Sequence, residues 1–366
     1  MQQDNSKIRI IQIIDSLEAG GAERMAVNYA NALAEQIEFS GLVVSRKEGS
    51  LINQIDEGVS YLFLNRKSVL DFKALYMLRN YVLLNRVTVV HAHSTSFFLA
   101  FLLKLVYPSI KIIWHDHYGD SEFLNKRPVS ALKIILPFFN GIISVNQKLK
   151  IWAEQKMNFK NTIYLPNFPA EEMNVTEYTV LEGVTGKRIV SLANLRIQKD
   201  HFLLLKVAKK LKVSHPDWTF HLVGKDFQDD YSKQIKSLII EHHLEKNVFL
   251  YGTQQDIKNI LYQSTIAILT SQSEGLPIAL LEYGWYKKAV VVTKVGEILS
   301  LIQNGKNGFV VPAQEEQLFY QAIVQLIEND RLRTEFGIAL HKTVIDSNSQ
   351  EVVLKHYLNW LQNSYK

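Results

Sequence analysis

The sequence predicts an α/β protein built from two doubly wound domains, and three observations lead to this fold class. Short β-branched runs alternate with helical segments along the chain, a pattern typical of parallel sheets covered by helices on both faces. The 366 residues exceed the size at which one hydrophobic core keeps growing, so two domains are expected. Residues 166–187 lack sustained apolar periodicity and contain two prolines and two glycines, which indicates a linker.

We therefore place a first domain at residues 1–166, a linker at 167–187 and a second domain at 188–345. The predicted strands are 8–14, 41–44, 61–64, 87–91, 111–114, 141–145 and 162–165 in the first domain, and 188–192, 219–223, 248–251, 266–270 and 289–293 in the second. The predicted helices are 22–36, 71–84, 97–107, 201–213, 231–242, 255–262 and 277–286. A last helix within residues 346–366 has apolar positions suited to packing on a neighbour, and the first domain is one surface available to it.

Composition narrows the chemistry and the location. The chain contains no cysteine, which excludes disulfides, thiolate metal sites and a cysteine nucleophile and fits a reducing compartment. The apolar run 8–14 is short and interrupted by polar residues, so we interpret it as a first strand and not as a signal peptide. The run 97–107 carries Lys104 and is too short to cross a bilayer, so we expect a buried helix there. These features favour a cytoplasmic protein.

The net charge of +5 is moderate, but basic residues concentrate in one region. Residues 104–160 hold nine lysines or arginines against four acidic residues. Such an excess attracts anionic lipid headgroups or nucleic acid, and an ordinary solvated face is an equally open interpretation.

The most informative segment is Ser273-Glu274-Gly275-Leu276-Pro277, which is followed by Glu282. A strand precedes this segment, and a proline suits the first turn of the helix that comes next. Such a strand–loop–helix leaves backbone N–H groups free at the positive end of the helix, an arrangement that binds phosphate. Glu282 falls about 7.5 Å along the helix axis from the proline. Two carboxylates beside a phosphate site would suit a sugar nucleotide; a charged helix cap and an unrelated Glu are the alternative.

This segment resembles the Glu-x7-Glu motif of the family 4 retaining glycosyltransferases, which have the GT-B fold. Three further segments stand in the order found in that family: Gly20-Gly21-Ala22-Glu23-Arg24, residues 194–201 and residues 304–312. The resemblance therefore runs over nearly the whole chain. It implies two Rossmann-like domains that face each other across a cleft. It also implies transfer of a hexosyl residue from a nucleoside diphosphate sugar to an acceptor hydroxyl.

The resemblance also implies roles for four residues outside the Glu-x7-Glu motif. Gly20 and Gly21 would approach the donor phosphate and the acceptor, although taken alone they indicate only a tight strand-to-helix turn. Arg196 and Lys199 would neutralise the diphosphate as it leaves. The family often carries its arginine where Asn194 stands in this chain, so Arg196 either takes over that role or is a solvated surface charge.

Within the motif itself, each residue receives a place around the donor. The backbone amides of Gly275 and Leu276 would hold the phosphate end of the donor. The carboxylate of Glu282 would bind the ribose, and Glu274 would bind the hydroxyl groups of the transferred sugar near the reaction centre.

Two pairs of histidines follow neighbouring predicted strands. The resemblance places a histidine after the strand 111–114 at the reaction centre, and His115 or His117 fits that position, with His115 preferred. His91 and His93 are interpreted as helix-entry or acceptor-side residues. Alternating histidines can also bind a metal, but we expect none here because the sequence pattern supplies no further ligand cluster.

The chain lacks an Asp-x-Asp motif, which in other glycosyltransferases clamps a metal on the diphosphate. We therefore expect metal-independent transfer without a cofactor, the sugar nucleotide being a substrate. No nucleic acid partner is expected.

The acceptor is predicted to be a saccharide or a lipid-linked saccharide in cell-surface polysaccharide synthesis. Basic and aromatic residues at 123–127 and 137–139 could meet such a lipid at an anionic membrane surface, which would make the protein peripheral on the inner face of the plasma membrane. Two other functions stay open: a sugar-nucleotide epimerase of the same architecture, and a non-catalytic relative that binds sugar nucleotides or saccharides. A nicotinamide-dependent dehydrogenase is disfavoured because the glycine fingerprint is incomplete.

Overall fold

The computed structural model describes residues 8–119, 121–170 and 177–364, which form two compact units. The first unit comprises residues 1–174 and 350–366, and the second comprises residues 175–349. The predicted α/β fold class is confirmed, since each unit contains one parallel sheet with helices on both faces. The boundary lies inside the predicted linker, and residues 177–187 belong to the second unit.

The first unit contains a seven-stranded parallel sheet with the order β3-β2-β1-β4-β5-β6-β7. Its strands are β1 (Arg9–Ser16), β2 (Phe39–Lys47), β3 (Ser60–Phe63), β4 (Val89–His93), β5 (Lys111–Asp116), β6 (Gly141–Ser144) and β7 (Thr162–Tyr164). Side chains alternate across the sheet, so Ile11 and Ile13 face one helix layer while Ile14 faces the other. The order reverses beside β1, which places β4 next to it.

Two helix layers cover this sheet. The helices of the unit are α1 (Gly21–Ala34), α2 (Phe72–Leu84), α3 (Phe97–Val106), α4 (Ser130–Ile135), α5 (Gln147–Lys156) and α13 (Gln350–Ser364). Helices α2 to α5 share one hydrophobic core with the sheet. Helix α1 packs on the opposite face, and α13 lies beside it, where the rings of Tyr29 and Tyr357 meet edge to face.

The second unit repeats this plan with six strands in the order β10-β9-β8-β11-β12-β13. Its strands are β8 (Arg188–Leu192), β9 (Thr219–Val223), β10 (Val248–Gly252), β11 (Ile266–Leu269), β12 (Ala289–Thr293) and β13 (Phe309–Val311). Its helices are α6 (His201–Ser214), α7 (Asp230–Glu241), α8 (Ile257–Gln263), α9 (Ile278–Trp285), α10 (Ile298–Leu301), α11 (Glu316–Glu328) and α12 (Asp330–Asn348). Helices α6, α7 and α11 pack on one face, and α8, α9 and α12 on the other.

Several elements differ from the sequence predictions. Strand β13 and helices α4, α5, α10, α11 and α12 were not predicted. Helix α3 was expected to be buried, but only its inner face is, because Leu105 and Val106 point outward with 52 % and 42 % of their surface exposed. Among the described residues, no helix combines the length and the apolar character needed to cross a membrane.

One buried histidine makes the stability of the second unit dependent on pH. His221 on β9 is wholly buried and bonds through its two ring nitrogens to Thr219 Oγ1, at 2.8 Å, and to the Tyr251 hydroxyl, at 3.0 Å. Burial, with a smaller contribution from Arg188, lowers the pKa of His221 to about 3. The folded protein therefore keeps this ring neutral where an unfolded chain, with a pKa near 6.5, already takes up a proton.

We expect the free energy of unfolding to fall as the pH drops below about 6.5, by about 1.4 kcal/mol per pH unit from this residue, because the unfolded state then binds the extra proton. Urea unfolding at pH 7.5 and 5.5 measures the loss of stability between the two pH values. This loss should be smaller in His221→Gln by about 1.4 kcal/mol, because only the pH unit below 6.5 contributes. The exposed His356→Gln is the control and should behave like the wild type. An equal loss in His221→Gln and wild type would contradict the prediction.

Candidate functional site

The candidate site of the second unit forms where the strand order reverses beside β8. Loops that leave neighbouring strands at such a reversal open a crevice at the carboxyl end of the sheet. Here the loop 193–200 after β8 lies against the loop 270–277 after β11. Thr270 Oγ1 donates to the carbonyl of Lys199 at 2.8 Å, and Gln272 N donates to the carbonyl of Gln198 at 2.8 Å. These bonds fix the two loops side by side.

This contact joins two of the predicted site residues. Lys199 Nζ lies 2.5 Å from Glu274 Oε1, although the two residues are 75 positions apart in the sequence. Ser271 Oγ donates to the same oxygen at 2.6 Å. Glu274 is 7 % exposed, so its carboxylate is paired in a largely dehydrated place where the interaction is stronger than at the surface.

A glycine that the sequence reasoning missed supports this pair. Gly296, in the loop after β12, has φ +54°, and a Cβ there would lie 2.1 Å from the carbonyl oxygen of Glu274 and 2.6 Å from that of Gly275. The next residue ties the loops together, since Glu297 N donates to the carbonyl of Gly275 at 3.0 Å. The only sequence signal was a glycine shortly after a predicted strand. Its lack of a side chain lets the loop carrying Glu274 pack closely.

The remaining residues of the Glu-x7-Glu segment lead into α9 or lie on it. Pro277 was expected to be in the first turn of this helix, but it is the residue directly before the helix. Gly275 keeps partial exposure, whereas Leu276 is buried in the core. Glu282 lies on α9 and is 8 % exposed, so both carboxylates of the segment are buried.

Arg196 is placed differently from Lys199. Its guanidinium lies 4.6 Å from the ring centroid of Phe227, and the residue is exposed. Asn194 has a structural role, because its Oδ1 accepts a hydrogen bond from Lys225 N at 2.7 Å. Beside these residues is a cavity of about 190 Å³ at the carboxyl ends of β8, β9 and β10, lined among others by Ala193, Leu195, Gly224, Asp226, Lys236 and Gly252.

In the first unit, the glycine loop follows β1 at the corresponding reversal of strand order. Gly20 precedes α1 in an extended conformation, and Gly21 is the first residue of the helix. A Cβ on Gly20 would lie 2.2 Å from Glu23 Oε2, so the missing side chain gives room for Glu23 to fold back over the helix start. The Glu23 side chain therefore lies against the backbone of the glycine loop.

The four histidines come together because β4 and β5 are neighbours, with His93 opposite His115. His91, His93 and His115 are fully buried, and His117 is partly exposed. His91 Nε2 lies 3.1 Å from His115 Nδ1, and His93 Nδ1 lies 3.0 Å from His117 Nε2. The sequence interpretation, which treated the two pairs separately, missed this cluster.

Two further residues complete the cluster. The Tyr357 hydroxyl lies 3.2 Å from His91 Nδ1, and Gln12 Oε1 lies 2.8 Å from His93 Nε2. Burial lowers the pKa of all four histidines, that of His117 to about 3. The imidazoles are therefore neutral at physiological pH.

Three of these histidines also meet a geometric requirement of a metal site. One nitrogen from each of His91, His93 and His115 can be chosen so that all lie within 4.8 Å of one another. Neutral imidazoles are suitable ligands for Zn²⁺ or similar ions. The nitrogens of His91 and His93 are all used in hydrogen bonds, however, so a metal would have to displace those bonds.

The side chain of Arg127, in one of the predicted membrane-facing segments, is 8 % exposed and has a structural role. Arg127 forms two hydrogen bonds with Asp116, at 2.6 and 2.8 Å, and its guanidinium lies over the rings of Trp114, Tyr118 and Trp152. This corrects the expectation that Arg127 faces an acceptor lipid, because a charge paired in this way is withdrawn from the surface.

The other residues of those segments divide between core and surface. Phe139 is buried, whereas Phe138 is 42 % exposed and Lys126 is exposed. The side chain of Phe123 lies outside the described part of the structure.

Comparison with known proteins matches both units to glycosyltransferases. Residues 19–168 match the family described as Glycosyltransferase Family 4, and residues 180–343 match the family described as Glycosyl transferases group 1. An uncharacterized glycosyltransferase of Haemophilus influenzae is 26 % identical over 322 residues, which cover 86 % of this chain and 88 % of the relative.

Two more proteins extend the comparison over nearly the full length. The UDP-Gal:alpha-D-GlcNAc-diphosphoundecaprenol alpha-1,3-galactosyltransferase of Escherichia coli is 20 % identical, over 90 % of this chain and 90 % of the relative. The crystal structure of Anabaena HepE in complex with UDP has a TM-score of 0.74 at 15 % identity, over 97 % of this chain and 100 % of that chain. The structural likeness shows that the fold is shared.

The close approach of Gly296 to the Glu274 carbonyl predicts an unusual sensitivity to one methyl group. Gly296→Ala should lower the free energy of unfolding by about 3 kcal/mol, from backbone strain at positive φ and from the clash with two carbonyl oxygens. Gly305→Ala is the matched control, since Gly305 has φ +76° but no atom of the described residues lies within 4 Å of a new Cβ, and the substitution should cost about 1 kcal/mol. Urea unfolding of both variants checks the difference; equal losses would show that the clash is absent.

Proposed function

Because the chain belongs to the family 4 glycosyltransferases, we propose that it transfers a hexosyl residue from a nucleoside diphosphate sugar to a saccharide or lipid-linked saccharide, with retention of anomeric configuration. The observation that carries the proposal is the ion pair of Lys199 and Glu274 at the reversal of strand order beside β8. A cation and a carboxylate at this place suit a ligand that brings both phosphate and sugar hydroxyls.

The proposed roles are those that the family resemblance implies, and the pairing of Lys199 with Glu274 supports two of them. The ammonium of Lys199 neutralises the diphosphate as it departs, and Glu274 accepts hydrogen bonds from hydroxyls of the transferred sugar. The amides of Gly275 and Leu276 bind the phosphate end, and Glu282 binds the ribose. Arg196 is exposed, with its guanidinium 4.6 Å from the ring centroid of Phe227, and would add a second positive charge for the diphosphate.

The reaction itself exchanges one bond to the anomeric carbon for another. The bond from this carbon to the diphosphate oxygen breaks, and a bond to the acceptor oxygen forms on the same face of the sugar. The departing phosphate oxygen takes the hydroxyl proton of the acceptor, so no protein side chain needs to become covalently attached. The resemblance places His115 or His117 at the reaction centre, and we favour His117 because His115 is fully buried.

Donor use and stereochemistry can be tested together. We expect one of the UDP-, GDP- or ADP-sugars to raise the melting temperature, since a ligand that binds only the folded state stabilises it. With that donor and polyprenyl diphosphate saccharides as acceptors, Glu274→Gln should reduce kcat about hundredfold, because a hydrogen bond formed near the reacting atoms is lost. The anomeric proton coupling of the product, measured by NMR, should match that of the donor.

The exposed Glu245→Gln on the surface of the second unit is the control and should retain wild-type kcat. Formation of an isomeric sugar nucleotide without acceptor would instead support the epimerase alternative. Donor binding without transfer by the wild type would support the non-catalytic alternative, and an inverted product would refute retention.

We also propose that the acceptor is met at an anionic membrane surface, which would serve cell-surface polysaccharide synthesis. The Escherichia coli relative is named for a diphosphoundecaprenol acceptor. In this chain, the outer face of α2 exposes Phe72 at 77 % and Tyr76 at 64 %, and Arg79 Nε bonds to the carbonyl of Val106 at the exposed end of α3.

The charge around this outer face favours an anionic partner. Lys73 is exposed on α2, and Lys67 and Arg86 are exposed shortly before and after the helix. The nearby Asp71 is engaged in capping α2, accepting hydrogen bonds from Ala74 N and Lys67 N at 3.0 Å each. Exposed aromatic side chains on a helix that carries and is flanked by exposed cations fit the interface of a bilayer that contains anionic lipids.

Vesicles of phosphatidylglycerol and phosphatidylcholine test this surface. The double variant Phe72→Ser, Tyr76→Ser should bind about tenfold more weakly in sedimentation assays, because two apolar groups no longer enter the interface. Val213→Ser, which replaces an equally exposed apolar residue on α6, should bind like the wild type. Absence of wild-type binding at low salt, or equal binding by the double variant, would refute the proposed surface.

A further inference from the structure

A glutamine occupies the middle of the central strand of the first sheet. Gln12 on β1 is fully buried between Ile11 and Ile13, at a position where the other strand residues are apolar. Burying an amide is unfavourable unless it is hydrogen-bonded. Gln12 lies opposite His91 in the strand register; its Oε1 lies 2.8 Å from His93 Nε2, whereas its Nε2 has no partner among the described residues.

We propose that Gln12 and His93 are positioning residues that hold His117 with its proton on Nε2 and leave Nδ1 as an acceptor for a sugar hydroxyl. Only the assignment of a sugar hydroxyl as the partner of His117 Nδ1 rests on the proposed transferase function. Gln12 has no role in the family resemblance, and here it would determine which ring nitrogen of His117 contacts the substrate.

The direction of each hydrogen bond follows from the oxygen at the start of the series. A carbonyl oxygen can only accept, so Gln12 Oε1 requires a proton on His93 Nε2. A neutral imidazole carries one proton, which makes His93 Nδ1 an acceptor. His117 Nε2, 3.0 Å away, must then be the donor, and its single proton is used there. The lone pair of His117 Nδ1 is what remains.

The surroundings keep this series of residues neutral and direct its end outward. Gln12 and His93 are fully buried, and burial lowers the pKa of His93 and His117, so the one-proton argument holds at physiological pH. His117 alone of the four histidines is partly exposed. Among the described residues, several buried polar atoms lack a hydrogen-bond partner, and His117 Nδ1 is not one of them, in agreement with the partial exposure of the ring.

The other hydrogen-bonded pair, His91 with His115, offers no equivalent. Its first member, His91, is bonded to the hydroxyl of Tyr357, which can donate or accept and therefore sets no direction. Its end, His115 Nε2, is buried and makes no hydrogen bond with the described residues. Only the series that starts at Gln12 has a fixed direction and an accessible end.

The chemistry of a bare Nδ1 defines the ligand group. A neutral nitrogen with a lone pair accepts a hydrogen bond from a hydroxyl and repels a phosphate oxygen. It also carries no positive charge that would oppose the charge developing at an anomeric carbon. His117 therefore suits a hydroxyl of the transferred sugar or of the acceptor, and not the diphosphate.

NMR of protein labelled with ¹⁵N-histidine measures the protonated nitrogen directly, whether or not the enzyme is active. Two-bond ¹H–¹⁵N spectra at pH 7.5 should show His117 with Nε2 protonated and Nδ1 unprotonated, the signals being assigned by their loss in His117→Gln. A proton on Nδ1, which would follow if the Gln12 amide were turned over, overturns the proposal.

Two substitutions of Gln12 test its positioning role. Gln12→Met has a similar shape but no acceptor, so His117 should show a mixture of both tautomers, and kcat should fall about tenfold while KM for the donor stays unchanged. Gln12→Glu places a buried carboxyl that either donates its own proton to His93 Nε2 or makes His93 an imidazolium, so His93 Nδ1 becomes a donor, His117 should carry its proton on Nδ1, and kcat should fall as well. An unchanged tautomer and kcat in Gln12→Met would overturn the role of Gln12. The predicted tautomer in a wild type without transfer activity would support the hydrogen-bond series and refute the transferase function.

Discussion

The reversal of strand order beside the first strand of each sheet determines where chemistry can occur in both units. Chain crossovers leave the two central strands in opposite directions, so the loops at their carboxyl ends part and leave a crevice. In the second unit these loops bring Lys199 to Glu274. In the first unit they place the glycine loop after β1 beside the histidines at the ends of β4 and β5. The topology sets where these loops meet, and the local sequence supplies the side chains that they carry.

The cost of burying polar groups explains the form of the first-unit cluster. Four imidazoles and a glutamine amide occupy positions that aliphatic residues would fill more cheaply. They are tolerated because most of their nitrogen and oxygen atoms are hydrogen-bonded to one another. Among the described residues, Gln12 Nε2, Tyr29 Oη and His115 Nε2 are buried without a hydrogen-bond partner, so this cluster lowers the stability of the core, as is common at functional sites.

The sequence was sufficient for the fold class and for nearly all strands, because buried parallel strands are continuous apolar runs such as residues 266–269 and 289–292. Helices α11 and α12 were missed, and nothing in the local pattern marked strand β13, which has three residues. The site was predictable only in parts. The roles of Lys199 and Glu274 came from a family resemblance, and their direct contact, the support by Gly296 and the joining of the histidines depend on strand neighbours far apart in the chain.

At the proposed donor site, Lys199 and Glu274 already neutralise each other's charge. An incoming anion has to take the ammonium away from a carboxylate that is 7 % exposed and cannot be rehydrated easily. A molecule that supplies phosphate alone gains one partner and leaves a buried negative charge poorly compensated. A molecule that also carries hydroxyl groups can donate hydrogen bonds to the Glu274 carboxylate and so compensate its charge. At the proposed donor site, the ion pair itself would therefore disfavour simple anions, without a separate group that excludes them.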